Sequence, residues 1–239
     1  MKLLDKVSIY QLIIFFLLSV YFHGLLTFGV EKVLWQALPV ILVTTISGLI
    51  FDWLELKRWT KPLTPLITGL IIGLVAQFGE TPIKLAAIGM AAMAIKFSIK
   101  MDGRHIFNPA ASGLLFGWLF LSSYPSWWTG AVSFWIFLIW IPILLLKLKR
   151  WAPMVGFLLP LALIDGPRIL FSSSLLFFTS VMLIEPKTSP AQIKHGLIYG
   201  VVVGILYLSL TNISVVGEPL IFSLLLGNLT GRLLQKFLI

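Results

Sequence analysis

The sequence predicts an all-α polytopic membrane protein of about ten transmembrane helices, arranged as two inverted repeats of five helices. Three observations lead to this fold class. Hydrophobic residues make up 59% of the chain and charged residues only 11%, so most of its length must face lipid or other helices. The apolar residues fall into ten segments, and motifs that combine a polar residue with proline recur about 110 residues apart.

Ten hydrophobic segments define the expected helices. In chain order they cover residues 8–30, 34–53, 64–78, 83–98, 109–121, 131–146, 153–164, 171–184, 194–210 and 220–237. The third, fifth, seventh and eighth are shorter than the ~20 residues that cross a bilayer, and proline or glycine interrupts or bounds most of them. Broken helices at membrane depth are tolerated only inside protein or beside a cavity. We therefore expect the short segments in the interior and the first segment on the lipid-facing rim.

The two repeats are expected over about residues 1–122 and 131–239, within one transmembrane domain. Asn108-Pro109 opens an apolar segment with Gly117 eight residues after the proline, and Glu218-Pro219 opens another with Gly227 at the same spacing. Because each repeat contains an odd number of spans, the second copy would lie upside down in the bilayer relative to the first. Proteins built in this way place their sites near the midplane, where broken helices of the two halves meet.

Lysine and arginine residues divide unequally between the two sets of loops. The termini and the even-numbered loops hold fifteen of these residues, and the odd-numbered loops hold three, which are Lys32, Lys84 and Arg168. Cytoplasmic loops carry the excess of positive charge in membrane proteins, so we expect a multi-pass protein of the cell membrane with both termini in the cytoplasm. The net charge of +9 is therefore a sign of topology rather than of nucleic-acid binding.

Composition excludes or disfavours several kinds of site. The chain has no cysteine, which excludes thiolate-bound iron–sulfur clusters, disulfides and cysteine-bound zinc. Its three histidines, His23, His105 and His195, belong to different segments, so a haem or metal site held by paired histidines is not expected. The longest polar stretches are about ten residues, too short to form a separate domain, and a self-contained catalytic site is not expected either.

Asn108 and Pro109 are the first candidates for a functional site. Asn108 stands immediately before the proline that opens the fifth segment. Its side chain could cap the helix, or the free N–H groups after Pro109 could bind an anionic or carbonyl-bearing ligand. The sequence leaves both interpretations open.

Two acidic residues lie at the ends of apolar segments. Glu218 is the counterpart of Asn108 in the second repeat, and it either complements the helix dipole or forms a cation or proton site. Glu185 precedes a proline at the end of the eighth segment. It either forms an ion pair beside Lys187 or belongs to a cation route at a broken helix.

Two pairs of polar residues are defined by their spacing. Thr68 and Thr179 occupy matching positions in the third and eighth segments. Their hydroxyls either satisfy carbonyls freed by a helix break or line a pathway. Lys96 and Lys100 lie four residues apart, a spacing that suits two side chains extending to the cytoplasmic interface.

Motifs in both halves resemble one known family. The first half has Thr-Pro-Leu-Ile-Thr-Gly-Leu-Ile-Ile-Gly-Leu at 64–74, then Pro82 and Ile-Phe-Asn-Pro-Ala at 106–110. The second half has Phe-Phe-Thr-Ser-Val-Met-Leu-Ile-Glu-Pro at 177–186 and Gly-Glu-Pro at 217–219. These motifs resemble the NqrB/RnfD family, the membrane subunits of the sodium-pumping NADH:quinone reductase and of the Rnf ferredoxin:NAD oxidoreductase.

The resemblance implies a urea-transporter-like bundle, a role in electron transport coupled to cation translocation, and a flavin cofactor, FMN or riboflavin. The candidate cofactor-binding residues are Asn108, Pro109, Thr68 and Thr179, and the candidate ion-pathway residues are Glu185 and Glu218. Other membrane and peripheral redox subunits would be the partners, since the chain has no nicotinamide or iron–sulfur motif of its own. The alternative is a urea-transporter-like channel or small-solute transporter without a redox cofactor, because function does not follow from fold.

One departure from the family concerns the attachment of a flavin. Family members with covalent FMN attach it to the threonine of a Ser-Gly-Ala-Thr type motif after the fifth span. In this chain that region reads Ser-Trp-Trp-Thr-Gly-Ala at 126–131, so Thr129 is followed by Gly-Ala rather than preceded by it. We therefore expect any flavin to be bound non-covalently.

Overall fold

The computed structural model describes residues 7–131, 134–213 and 217–237, with backbone only for 233–237, and the described chain is mostly helical. Its ten α-helices in chain order are α1 (Ile9–Phe28), α2 (Val30–Leu56), α3 (Leu63–Val75), α4 (Pro82–Ser98), α5 (Pro109–Leu121), α6 (Phe134–Leu148), α7 (Trp151–Ile164), α8 (Ser173–Phe177), α9 (Ile193–Thr211) and α10 (Pro219–Phe237). α8 continues as a π-helix over Phe178–Leu183, and an antiparallel hairpin of β1 (Lys100–Met101) and β2 (Arg104–His105) lies between α4 and α5. Short 3-10 helices cover Trp128–Ala131 and Pro167–Phe171.

The all-α fold class is confirmed, and each of the ten hydrophobic segments contains one of the helices. Among the described residues, three helices are long and apolar enough to cross a membrane, namely α1, α2 and α9. The expected interior position is confirmed for α3 and α8, because residues 68–75 and 175–184 are all buried. It is wrong for α7, which exposes Val155, Leu159 and Leu163, and α5 is continuously buried only up to Leu114. α1 exposes one apolar face that includes Phe15, Phe22 and Leu26, as expected for a helix on the rim.

Local sequence signals set several helix boundaries. Ser8 and Gln11 form a capping box at the start of α1, in which each side chain bonds the backbone N–H of the other residue. Prolines occupy the first positions of α4 and α5, where a helix does not need the N–H group. Gly29 alone separates α1 from α2, and its φ of 90° is a conformation that favours glycine.

Glycine allows α7 and α9 to approach closely. A Cβ at Gly200 would lie 2.2 Å from the Pro153 carbonyl oxygen, and one at Gly156 would lie 2.3 Å from the Leu197 carbonyl oxygen. Both neighbours are backbone atoms, so a side chain at either position would force the two helices apart.

Helix starts recur at a nearly constant spacing. α3, α4 and α5 begin at residues 63, 82 and 109, and α8, α9 and α10 begin at residues 173, 193 and 219, which gives offsets of 110, 111 and 110. The packing recurs as well, because α2 contacts α4 as α7 contacts α9, and α4 contacts α5 as α9 contacts α10. The two halves of the chain meet where α5 packs against α10 and α1 packs against α6.

α5 and α10 run antiparallel where the halves meet. The Asn108 backbone N–H, at the start of α5, donates to Asn228 Oδ1 in α10 at 2.8 Å. Near the end of α5, the Trp118 ring packs against Phe222 with centroids 5.3 Å apart, and a Cβ at Gly217 would lie 2.6 Å from Trp118 Nε1. After an offset of 110 residues, position 218 is equivalent to position 108, and position 118 is equivalent to position 228. The N-terminal end of each helix therefore lies beside the C-terminal part of the other helix.

The loops collect at two opposite ends of the bundle. One end, named the basic end, has two adjoining cavities. They are lined by the loop before α3, the β-hairpin, Arg150, the residues after α8, and Arg232 of α10. At the opposite end, the Tyr124 N–H donates to Gln77, and Trp127 donates to Glu218. The even-numbered loops thus share the basic end, and the third, fifth and ninth loops share the opposite end.

Candidate functional site

A small polar cavity, named the central cavity, lies where the two halves meet. α1, α3, the start of α5 and the end of the π-helix surround it, and its volume is about 70 Å³. Its lining includes the polar residues Tyr10, Thr64, Thr68, Lys96, His105, Asn108 and Glu185. Asn108, Pro109, Thr68 and Glu185, four of the six candidates from the sequence, therefore come together at this cavity.

Asn108 is buried, and both polar atoms of its carboxamide contact protein groups. Oδ1 accepts from the Ala111 N–H at 3.0 Å, which caps α5, and Nδ2 donates to the Met182 carbonyl of the π-helix at 3.2 Å. Asn228, which accepts from the Asn108 N–H, in turn donates to the Tyr199 hydroxyl at 2.8 Å. Asn108 is therefore a helix cap that also links the first half of the chain to the second.

Thr68 and Thr179 make equivalent contacts in different surroundings. The Thr68 hydroxyl donates to the Thr64 carbonyl at 3.1 Å, and the Thr179 hydroxyl donates to the Leu175 carbonyl at 2.8 Å, in both cases four residues earlier. Thr68 lines the central cavity, whereas Thr179 is fully buried away from it. The hydroxyls thus satisfy helix carbonyls, and only Thr68 has access to the cavity.

Glu185 has one contact with the other half of the chain and one local contact, and no ion pair among the described residues joins it to Lys187. Glu185 Oε1 lies 3.5 Å from His105 Nε2, and Oε2 accepts from the Thr188 hydroxyl at 3.0 Å. The carbonyl of the adjacent Lys187 accepts from Arg232 at 2.8 Å. The structure therefore joins Glu185 to the histidine that ends the β-hairpin, a contact between the two halves that the sequence did not indicate.

Lys96 and Lys100 differ although their spacing suggested the same role. Lys96 is only 8% exposed, and its Nζ lies 3.5 Å from the Thr64 hydroxyl at the wall of the central cavity. Lys100 Nζ instead lies 2.5 Å from Glu55 Oε2 in a partly exposed ion pair. The expectation that both side chains extend to the interface is therefore wrong for Lys96, because packing of α4 against α3 encloses it.

A larger cavity, named the basic cleft, adjoins the central cavity at the basic end. Its volume is about 580 Å³, and the two cavities share Thr64, Lys96, His105, Pro186 and Lys187 in their linings. The remaining charged lining residues of the cleft are Asp52, Glu55, Lys61, Lys100 and Arg104. Positive side chains outnumber carboxylates in this lining, so the cleft favours an anionic ligand.

Glu218 lies at the opposite end, in a separate cavity of about 490 Å³ that also includes Trp127 and Tyr207. The Trp127 indole N–H donates to Glu218 Oε1 at 3.0 Å. Burial raises the pKa of Glu218 to about 7, while the hydrogen bond from Trp127 acts in the other direction. Glu218 can therefore take up or release a proton near neutral pH.

Buried residues of α8 lie between the two ends. Residues 176–180, which separate the linings of the central cavity and the Glu218 cavity along α8, are all buried. Phe178 packs against Trp127 and Phe157, with ring centroids 6.1 and 5.2 Å away. These three rings, named the aromatic layer, lie beside the stretch of helix between the residues that line the central cavity and those that line the Glu218 cavity.

Several residues at these sites were not among the candidates from the sequence. Asn228 and Tyr199 complete the contacts of Asn108, and Arg232 donates to the His105 carbonyl at 3.2 Å. Asn108 and Asn228 are 120 residues apart in the chain, and His105 and Arg232 are 127 residues apart. A polar residue within an apolar helix, as at 228, was the only available indication.

Comparison with known proteins adds no family to these observations. No protein-family model matches the chain, and no curated protein is significantly similar to it. The resemblance to the NqrB/RnfD family therefore rests on the motifs alone and stays a prediction.

Proposed function

We propose that this chain is a ten-span membrane protein of two inverted repeats that serves as the membrane subunit of a flavin-dependent electron transport complex of the Rnf/Nqr type. The observation that carries the proposal is the pair of adjoining cavities at the junction of the two halves, which share Lys96 and His105 in their linings. The larger one lies at the basic end, and Phe178 packs against Trp127 between the central cavity and the cavity at the opposite end. A site of this shape suits a bound cofactor better than a passing solute.

The distribution of apolar and basic residues supports the membrane topology. Three helices have the length and composition of spans, and large apolar side chains on α1, α2 and α6 are exposed. The even-numbered loops, where most basic residues occur, share one end of the bundle. By the excess of positive charge, the basic end and both termini would face the cytoplasm.

The repeated helix starts and the antiparallel packing of α5 against α10 support the inverted repeats. Contacts at the start of α5 have counterparts at the start of α10 after an offset of 110, as expected for two units related by an axis in the membrane plane. Such proteins hold their ligands where broken helices meet, and α8 changes there from α to π geometry.

The size of the cavities decides where a flavin could bind. Pockets for ligands of this size have volumes of about 300–1,000 Å³, which excludes the isoalloxazine ring from the central cavity of about 70 Å³. The basic cleft, at about 580 Å³, has the required volume. Lys61 and Arg104 would hold the phosphate or the negatively charged reduced ring, and Phe97 offers an apolar surface to it. The cleft therefore fits a flavin by volume and by charge.

A flavin in the cleft would supply one- and two-electron transfer, and the chain would set its surroundings. His105 and Glu185 would place a pair of protonatable groups, 3.5 Å apart, in the wall behind the cleft. The aromatic layer around Phe178 would keep water from crossing between the two ends. Asn108, Pro109 and Thr68 would line the adjoining central cavity, outside the cleft that holds the flavin.

The proposal is tested by the visible absorbance spectrum of the protein purified from its native membrane. We expect flavin bands that disappear on chemical reduction, and release of the flavin on denaturation. Lys61→Gln should weaken flavin binding by about 2- to 5-fold, as for other exposed charge contacts. Lys57→Gln is the matched control, because Lys57 is exposed and lies four residues earlier, outside the cleft.

A protein without bound flavin that conducts small solutes in liposomes would contradict the proposal and favour the channel. If Lys61→Gln and Lys57→Gln bind flavin equally well, the protein binds flavin at a place other than the basic cleft.

A further inference from the structure

A third cavity at the basic end, named the arginine pocket, is lined by an unusual set of charges. It has a volume of about 210 Å³ and lies between the start of α7, the loop after α8 and α10. Its cationic lining residues are Arg104, Arg150, Lys187 and Arg232, and His195 adds an imidazole. No Asp or Glu is present among its lining residues in the described chain.

Backbone carbonyls fix the two least exposed arginines of this pocket. Arg150 donates to the Ser189 carbonyl and hydroxyl at 2.6 and 3.0 Å. Arg232 donates from one terminal nitrogen to the His105 carbonyl at 3.2 Å and to the Lys187 carbonyl at 2.8 Å. These neutral acceptors hold each guanidinium in place but do not neutralise it, and each guanidinium has further N–H groups.

Arg232 has an unmet requirement for an acceptor. Its residue is 8% exposed, and its buried Nε has no hydrogen-bond partner among the described residues. No ion pair among the described residues includes Arg232, and Glu185 already contacts His105 and Thr188. A buried cation without a paired anion is costly, so this arrangement favours an anionic occupant.

Burial acts on the second arginine in the same way. It lowers the pKa of Arg150 from its ordinary value, and no carboxylate counteracts that effect. The guanidinium nevertheless stays charged at physiological pH. The pocket thus keeps its positive charges although part of their solvent is removed.

We propose that the arginine pocket binds a phosphate group, carried either by the headgroup of an anionic lipid or by a soluble phosphate. Arginine forks match phosphate oxygens with paired hydrogen bonds, and several cations around one small pocket suit an anion with more than one charged oxygen. Its position at the loop-bearing end of the bundle is where headgroups and soluble ions are both within reach. The inference does not depend on flavin binding, because Arg150 and Arg232 lie outside the basic cleft.

The experiment uses the full chain in a neutral detergent and follows thermal unfolding in two titrations. One titration adds inorganic phosphate against chloride at constant ionic strength, and the other adds dioleoyl phosphatidylglycerol against dioleoyl phosphatidylcholine. We expect a rise in Tm with one or both phosphate probes relative to their references. Arg150→Gln should weaken the apparent affinity by about 5-fold or more, because a half-buried charge-assisted contact is lost.

Lys149→Gln is the matched control, because it removes the same charge from the adjacent exposed residue, which does not line the pocket. This variant should bind as the parent does. If Arg150→Gln does not fold, His195→Gln replaces it, because His195 lines this pocket and not the basic cleft. The expected loss is then up to about 5-fold.

The outcomes separate the two sources of phosphate. A response to phosphatidylglycerol alone supports a lipid headgroup, and a response to inorganic phosphate supports a soluble ligand. The proposal is overturned if neither probe raises Tm, or if the pocket variant and Lys149→Gln respond to the same extent.

Discussion

Replacing Asn108 with leucine tests how the two halves of the protein are joined. Leucine keeps roughly the size of the side chain but removes both hydrogen bonds of the carboxamide. The Ala111 N–H loses its cap, which costs about 0.5–2 kcal/mol, and the buried Met182 carbonyl loses its donor, which costs about 1–3 kcal/mol. Together we expect a loss of about 2–4 kcal/mol in the free energy of unfolding, since the two contacts belong to one side chain.

Thermal unfolding in detergent gives the corresponding measurement. A loss of this size should lower Tm by roughly 4–15 °C for a chain of this length. Asn108→Ser should fall between the parent and Asn108→Leu, because serine caps a helix as asparagine does but does not reach Met182. An unchanged Tm for Asn108→Leu would refute the assignment of both hydrogen bonds.

A matched variant separates stability from cofactor binding. Asn228→Leu removes the acceptor of the Asn108 N–H and the donor to Tyr199, but Asn228 does not line the central cavity. With the flavin in the basic cleft, both leucine variants should lose stability and retain flavin to the same extent while folded. Selective loss of flavin from Asn108→Leu would show that Asn108 contacts the flavin directly.

Four further predictions follow from the same structure. A reporter fused after Ile239 should lie in the cytoplasm, and one inserted at Pro125 should lie outside, because the basic loops share one end of the bundle. A cytoplasmic signal at Pro125 would contradict the count of ten spans. Glu218 has its pKa raised to about 7, so the folded state holds a proton that the unfolded state releases, and stability should fall as pH rises from about 4.5 to about 7. Glu218→Gln should flatten that part of the stability profile, and an unchanged profile would count against the buried carboxyl. Gly200→Ala should lower the free energy of unfolding by about 1–3 kcal/mol, because the added methyl group would contact the α7 backbone. Gly196→Ala is the control on the same helix and should lower it less, because its nearest contact would be at 3.1 Å. Equal melting temperatures of the two variants would disprove the close approach. The intact mass of the denatured chain should match its sequence, and an increase equal to FMN would reveal covalent attachment.

The sequence by itself determined the elements of this protein and their class. Hydrophobic segments predict helices because a backbone without water must satisfy its own hydrogen bonds, and all ten segments contain one. The Asn108-Pro109 motif predicts a helix start for a similarly local reason: asparagine caps a helix, and proline has no backbone N–H to donate. The structure has this cap at the start of α5. The equivalent hydroxyl contacts of Thr68 and Thr179 also follow from short-range geometry, because each reaches a carbonyl four residues earlier.

Only the tertiary structure decided what these residues face. Lys96 and Lys100 have the same charge and lie four residues apart, yet α4 ends at Ser98, so Lys96 is buried beside Thr64 whereas Lys100 begins β1 and pairs with Glu55. Glu185 lies 3.5 Å from His105 of the other half, in addition to its local contact with Thr188. Arg232 reaches a carbonyl 127 residues away. Such contacts depend on which helices become adjacent, and adjacency arises from the shapes of whole helix faces, which no local pattern encodes.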